Sequence, residues 1–124
     1  MQRDLCAYLH DMLDASESIF DFTGGIQFTT FENLDLNRSA VERKFEIIGE
    51  ALRQASQYFP GSLSSIPDLK EAIGQRDRLA HGYFAVDPMI LWHSIKNDLP
   101  AFRDRVARLI ELNCDAISPQ SPSQ

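Results

Sequence analysis

The chain has 124 residues, enough for one domain with a modest core, and its 44% hydrophobic and 24% charged residues are ordinary for a soluble globular protein. Twelve Lys and Arg against 18 Asp and Glu give a formal charge of −6, which counts against broad, non-specific nucleic-acid binding but leaves room for a small basic site. No apolar run approaches the ~18 residues that span a bilayer. Residues Met1 to Asp4 lead straight into an amphipathic pattern, so neither a secretory leader nor a membrane association is expected and the chain reads as cytoplasmic.

A first helix is predicted over about Asp4 to Asp21, because Leu5, Tyr8, Leu9, Met12, Leu13, Ile19 and Phe20 recur mostly every three or four residues. His10 falls among acids and reads as a solvated surface residue. Gly24-Gly25 ends the segment. Thr29-Thr30-Phe31-Glu32 has the form of a capping box that opens a short helical turn, and Asn33 to Asn37 reads as a connection. A second long helix is predicted from Arg38 to Phe59. Its Val41, Phe45, Ile48, Leu52, Ala55 and Phe59 form a heptad-like seam, and Pro60-Gly61 stops it. Gly49 inside this helix costs roughly 1 kcal/mol against alanine and predicts that another backbone comes close there. Glu50 beside it reads as a surface acid, or as a partner for Arg76.

After the Ser-rich stretch from Ser62 to Ser65, Pro67 suits the first position of a third helix, with Leu69, Ala72, Ile73, Leu79 and Ala80 as its apolar stripe. Arg76 falls inside that stripe and Asp77 near its edge. A guanidinium does not deprotonate, so this placement calls for a carboxylate, a bound anion or a partner subunit. The plainer readings are a structural ion pair or a side chain whose stem snorkels to water. Gly82 predicts a helix end near Ala80, which frees His81 to turn toward the surface that Arg76 faces; otherwise His81 is a helix-end cation. Lys70 and Arg78 add positive charge around this stretch.

Asp87-Pro88 reads as an N-cap with proline at the first helical position. Met89, Ile90, Trp92, Ile95 and Leu99 supply the apolar content of that helix, and His93 packs or faces solvent. Pro100 removes a backbone donor, so the helix kinks or restarts there and continues through Phe102, Val106, Leu109 and Ile110 to about Asn113. Arg103, Arg105 and Arg108 lie on this last segment. Residues 114–124, rich in Ser, Pro and Gln, form a mobile tail beyond a single domain of residues 1–113. Cys6 and Cys114 lack metal spacing and read as reduced packing residues, with a disulfide between the terminal helices as the less favoured alternative. The fold class is all-α: an up-and-down bundle of four main helices, or five where the last is split at Pro100.

Arg76, four residues, His81, one residue and Tyr83 spell R-x4-H-x-Y, which is similar to the signature of HEPN-domain ribonucleases. The fuller match is to the HepT-like branch, toxins paired with a minimal nucleotidyltransferase antitoxin. The stretch from Ile47 to Ala51 resembles that branch's I-I-G-E-A, and the stretch from Arg76 to Phe84 resembles its R-N-R-L-x-H-G-Y-F. Trp92 and Asp98-Leu99-Pro100 resemble blocks that follow. The resemblance covers about residues 4 to 112. Asp77 stands where the branch often has asparagine, and an aromatic often found upstream of the arginine helix is missing.

The resemblance implies metal-independent RNA cleavage, with tRNA or mRNA as substrate and no cofactor. Arg76 and His81 would be catalytic, at a cleft shared by a homodimer, with Asp77 and Tyr83 supporting and Arg78 and Lys70 contacting substrate. Tyr83 also resembles a site of AMP transfer by the nucleotidyltransferase antitoxin. The rival expectations are a non-catalytic HEPN module that docks a nucleotidyltransferase or a nucleotide, and a helical dimer with a structural role. Without a clustered His, Cys and Asp ligand set, no metal site is expected.

Overall fold

The computed structural model describes residues 3–67, 69, 73 and 87–114. Among them are five helices and no strand, in the order α1 (Leu5–Thr23), α2 (Phe28–Asn33), α3 (Asp35–Tyr58), α4 (Pro88–Asn97) and α5 (Leu99–Cys114). The all-α bundle expected from periodicity is therefore what forms. The third predicted helix, with Arg76, lies outside the described residues, and so does the tail beyond Cys114. Near its start, the Ile73 N–H donates to the Leu69 carbonyl at 3.1 Å and Leu69 is buried.

Helix α1 starts where Asp4 offers its carboxylate to the Ala7 N–H at 2.9 Å, which satisfies one of the orphan donors of the first turn. It ends at Gly24, whose N–H donates to the Phe20 carbonyl, and Gly25 follows with φ 79°, a left-handed conformation that glycine adopts at little cost. Tyr8, Leu9, Met12, Ala15 and Ile19 form its buried stripe. Ser16 and Thr23 are buried beside them and each donates its hydroxyl one turn back, to the Met12 and Ile19 carbonyls, so neither brings an unsatisfied polar group into the core.

Three contacts fix the directions of the long helices. Tyr8 at the start of α1 meets Phe59 at the end of α3, with ring centroids 6.5 Å apart. Asn37 at the start of α3 donates to the Phe22 carbonyl near the end of α1. Arg103 early in α5 pairs with Glu17 late in α1. Both α3 and α5 therefore run antiparallel to α1. The core joins Leu9, Met12 and Ile19 of α1 to Val41, Phe45 and Ile48 of α3 and to Leu99, Phe102 and Val106 of α5, all with at most 1% of their surface exposed. Each such side chain stabilises the fold by roughly 1.5–3 kcal/mol relative to an exposed one. Phe31 of α2 and Trp92 of α4 stack tilted at 5.2 Å, and Phe28 meets Trp92 edge-on at 6.0 Å, which seats the short helix on α4.

Four expectations change. Residues 33–37 are not a connection: α2 ends at Asn33, α3 starts at Asp35, and Leu34 alone lies between them. Asp35 sits in the first turn of α3, where its charge suits the helix dipole, and Arg38 reaches back to the Glu32 carbonyl at 2.6 Å. The capping box at Thr29 does not form, because the N-cap falls two residues earlier, at Gln27, which makes no side-chain cap bond. The break before Pro100 falls at Asp98, whose N–H still reaches the Ser94 carbonyl at 3.0 Å. The missing N–H of Pro100 then interrupts the ladder, and α5 starts at Leu99.

The fourth correction concerns the cysteines. Cys6 and Cys114 are joined as a disulfide, with Cα atoms 5.9 Å apart. Sequence spacing hid this, because the two residues are 108 positions apart and only the antiparallel packing of α5 on α1 brings the start of one helix to the end of the other. By contrast Asp87-Pro88 behaves as read: the Asp87 carboxylate accepts the Met89 N–H at 2.9 Å and Pro88 takes the first position of α4.

Within α3, Glu42 is part-buried. Desolvation raises its pKa, with nearby Arg38 opposing the shift. The folded state then holds the proton at a pH where the unfolded chain has lost it, so this group's contribution to stability falls as pH rises through that window.

A cross-link closing so long a loop restricts the unfolded chain. Thiol titration of the denatured, unreduced protein is expected to find no free cysteine, and dithiothreitol to lower the stability by about 2–4 kcal/mol in urea titrations. Cys6→Ser should match the reduced protein and be insensitive to dithiothreitol.

Candidate functional site

Arg76, Asp77, Arg78, His81, Tyr83 and Lys70 all lie outside the described residues. The structure does describe the surfaces that adjoin the start of their segment. Gly49 of α3 is the firmest of these contacts. A Cβ placed there would lie 2.9 Å from Cγ2 of Ile73, closer than side chains tolerate. Here the expectation is refined, because what approaches Gly49 is the branched side chain of Ile73. A β-branched side chain is stiff at χ1 in a helix, so it cannot easily swing aside. Leu69, four positions earlier, is buried in the core, and Ile73 packs against the same core.

One residue after Gly49, Glu50 accepts hydrogen bonds from Arg53 Nη2 at 2.6 Å and from Gln54 Nε2 at 2.7 Å. The Arg53 guanidinium is raised above its ordinary pKa, first by that hydrogen bond to Glu50 and then by the carboxylate's charge. Glu50 also lines a cleft of about 210 Å³ between α1 and α3, together with Arg3, Asp11, Arg43, Glu46 and Gln54. The cleft's charges pair within it. Arg3 Nη1 meets Asp11 Oδ2 at 2.6 Å, a bond that raises the arginine's pKa and lays the guanidinium over the Tyr8 ring, and Arg43 pairs with Glu46.

The two histidines outside the motif take the places read for them. His10 and His93 are exposed, and His93 Nδ1 lies 3.0 Å from the Asn97 amide one turn on. Among the described residues no group of three His, Cys, Asp or Glu side chains could hold a metal ion. No described helix is long and apolar enough to cross a membrane.

On α5 the three arginines differ. Arg103 is engaged on all sides: Nε meets Asp104 at 2.7 Å, Nη1 meets Glu17 at 3.1 Å, and the guanidinium lies 4.8 Å from the Phe20 ring. These bonds, first to Asp104 and then to Glu17, raise its pKa. Arg105 and Arg108 instead line an open groove of about 440 Å³ with Asp104, Ala101, Ser65 and Pro67. Sequence reading noted these arginines without joining them to the Ser-rich stretch. Their i, i+3 spacing gave the shared face, but nothing in it pointed to a loop some forty residues away.

Comparison with known proteins adds an independent line. The family model described as "Ribonuclease HepT-like" matches residues 12–109, a span that contains Arg76, His81 and Tyr83. A Methanocaldococcus jannaschii protein named as a candidate RNase is 37% identical over 105 residues, covering 85% of this chain and 95% of its own length. "Probable ribonuclease HepT" of Thermococcus cleftensis is 37% identical over 109 residues, 88% of this chain and 98% of the relative. A Caldanaerobacter subterraneus protein, also named as a candidate RNase, is 33% identical over 104 residues, 84% of this chain and 92% of its own. No solved structure matches.

The Gly49 contact generates a sign test. Gly49→Ala is expected to destabilise by about 1 kcal/mol through overpacking against Ile73. In an Ile73→Ala background, where Cγ2 is absent, the same change should be neutral or stabilising, because alanine is the better helix former by roughly 1 kcal/mol. Urea titrations of the four proteins measure both signs; destabilisation in both backgrounds would rule out Ile73 as the cause.

Proposed function

Because the chain belongs to the ribonuclease HepT-like family, we propose that it is a metal-independent endoribonuclease that acts as the toxin of a toxin–antitoxin pair. What carries the reading is the Arg76-x4-His81-x-Tyr83 motif, complete and inside the span that matches the family.

The chemistry follows from the residue types. A ribose 2′-hydroxyl attacks the adjacent phosphorus; the P–O2′ bond forms, the P–O5′ bond breaks, and a 2′,3′-cyclic phosphate and a free 5′-hydroxyl result. An imidazole titrates near neutral pH, so His81 takes the 2′ proton or delivers one to the departing 5′ oxygen. Arg76 forks onto two phosphate oxygens and neutralises the charge that develops there. Asp77 holds one of these groups in position, and Arg78 and Lys70 contact neighbouring phosphates. A single imidazole serves one proton transfer at a time. A two-fold homodimer that faces two motifs across one cleft would provide separate acid and base.

The antitoxin in this reading is a nucleotidyltransferase that moves AMP to Tyr83. The phenolic oxygen attacks the α-phosphorus of ATP, pyrophosphate leaves, and the added nucleotide fills the cleft. The competing reading is a non-catalytic module that docks a nucleotidyltransferase or a nucleotide; Asp77, standing where the branch often has asparagine, is the residue that favours it.

Purified protein in EDTA is expected to cut total tRNA or mRNA and leave cyclic phosphate ends. His81→Ala and Arg76→Ala should each lower the rate by about 10²–10⁴-fold. Intact RNA with wild-type protein would favour the docking module. After incubation with the antitoxin and ATP, Tyr83→Phe should stay active while wild type is silenced; a mass spectrum with AMP on another residue would refute Tyr83 as the acceptor.

A further inference from the structure

The groove beside α5 is unlike the rest of the charged surface. In the α1–α3 cleft each described arginine has an acid beside it. Along α5, Ala101, Asp104, Arg105 and Arg108 fall at intervals of three, one and three, so they share one face of the helix and together line the groove. Asp104 is paired with Arg103 at 2.7 Å, which offsets part of its charge. Arg105 is exposed and has no acidic partner among the described residues. Arg108 reaches Glu111 at 3.1 Å, but with 58% and 67% of the two side chains exposed, such a pair contributes little and yields easily to a stronger anion. Opposite stand Ser65, with a hydroxyl to donate, and Pro67, which with Ala101 supplies a small apolar floor.

We propose that this groove holds the sugar–phosphate backbone of the RNA, with Arg105 and Arg108 clasping adjacent phosphates away from the scissile bond. The inference rests on the ribonuclease reading above. A chain of net charge −6 repels a polyanion overall, so a substrate strand needs a local electropositive track to settle on. Two guanidiniums one helical turn apart provide it, because each forks onto phosphate oxygens. A ribose against Pro67 and Ala101 completes the fit. Ser65 and Pro67, which line the groove, precede the motif stretch in the sequence.

The test uses full-length protein carrying His81→Ala, so that bulk tRNA binds without being cut, and compares it with the same chain carrying Arg105→Gln and Arg108→Gln. The dissociation constant, read by filter binding across a salt series, is expected to rise about tenfold at low salt. The slope of log affinity against log salt should flatten by about 1.5, since each lost phosphate contact removes roughly 0.7–0.9. Arg105→Lys with Arg108→Lys should restore the slope, and thermal melts should coincide. In the active chain the loss should fall on KM. If tRNA binds the parent but the glutamine variant matches it in affinity and slope, the groove is not the track, whether or not a protein partner uses it. If wild type neither binds nor cuts tRNA or mRNA, the ribonuclease reading itself falls and the groove assignment with it.

Discussion

Everything described here hangs on the packing of α1 between its two antiparallel neighbours. Its buried stripe, from Tyr8 to Ile19, is in contact on one side with α3 and on the other with α5, and the three helices share a single core. Helix α3 is the longer partner, and it has one position, Gly49, where the absence of a side chain lets Ile73 come within van der Waals distance of the backbone. The seam between α1 and α3 thus decides where α3 lies, and α3 in turn decides where the motif segment starts.

Much of the architecture was legible in the residues because the signals were local. The three- and four-residue spacing of apolar side chains set α1, most of α3 and α5, and a proline after an acid marked the start of α4. What was not legible depended on tertiary contacts. Arg38 extends the start of α3 backward by bonding the Glu32 carbonyl, a bond that forms only once α2 has folded beside it. The bond between Cys6 and Cys114 was only the less favoured alternative, since their proximity is a product of helix directions. The motif is read from residue types and from the resemblance alone, since Arg76, His81 and Tyr83 lie outside the described residues.

Charge distribution separates structural from functional candidates. Most described arginines are tied to acids one turn away or across the α1–α5 boundary, as Arg53 is to Glu50 and Arg103 to Glu17. Exposed pairs of this kind contribute little to stability, but they hold the local potential near neutral. An acidic protein that acts on RNA gains selectivity from such an arrangement, because it binds only where positive charge is left uncompensated.

The bond between Cys6 and Cys114 has a topological meaning as well. It closes residues 6–114 into a covalent ring that holds the described helices from the second residue of α1 onward. A backbone cut anywhere in that ring, for instance in the exposed turn around Gly61, would open the circle without releasing a fragment. The termini would then act as one pre-joined junction, and the nicked molecule would be a circular permutant of itself.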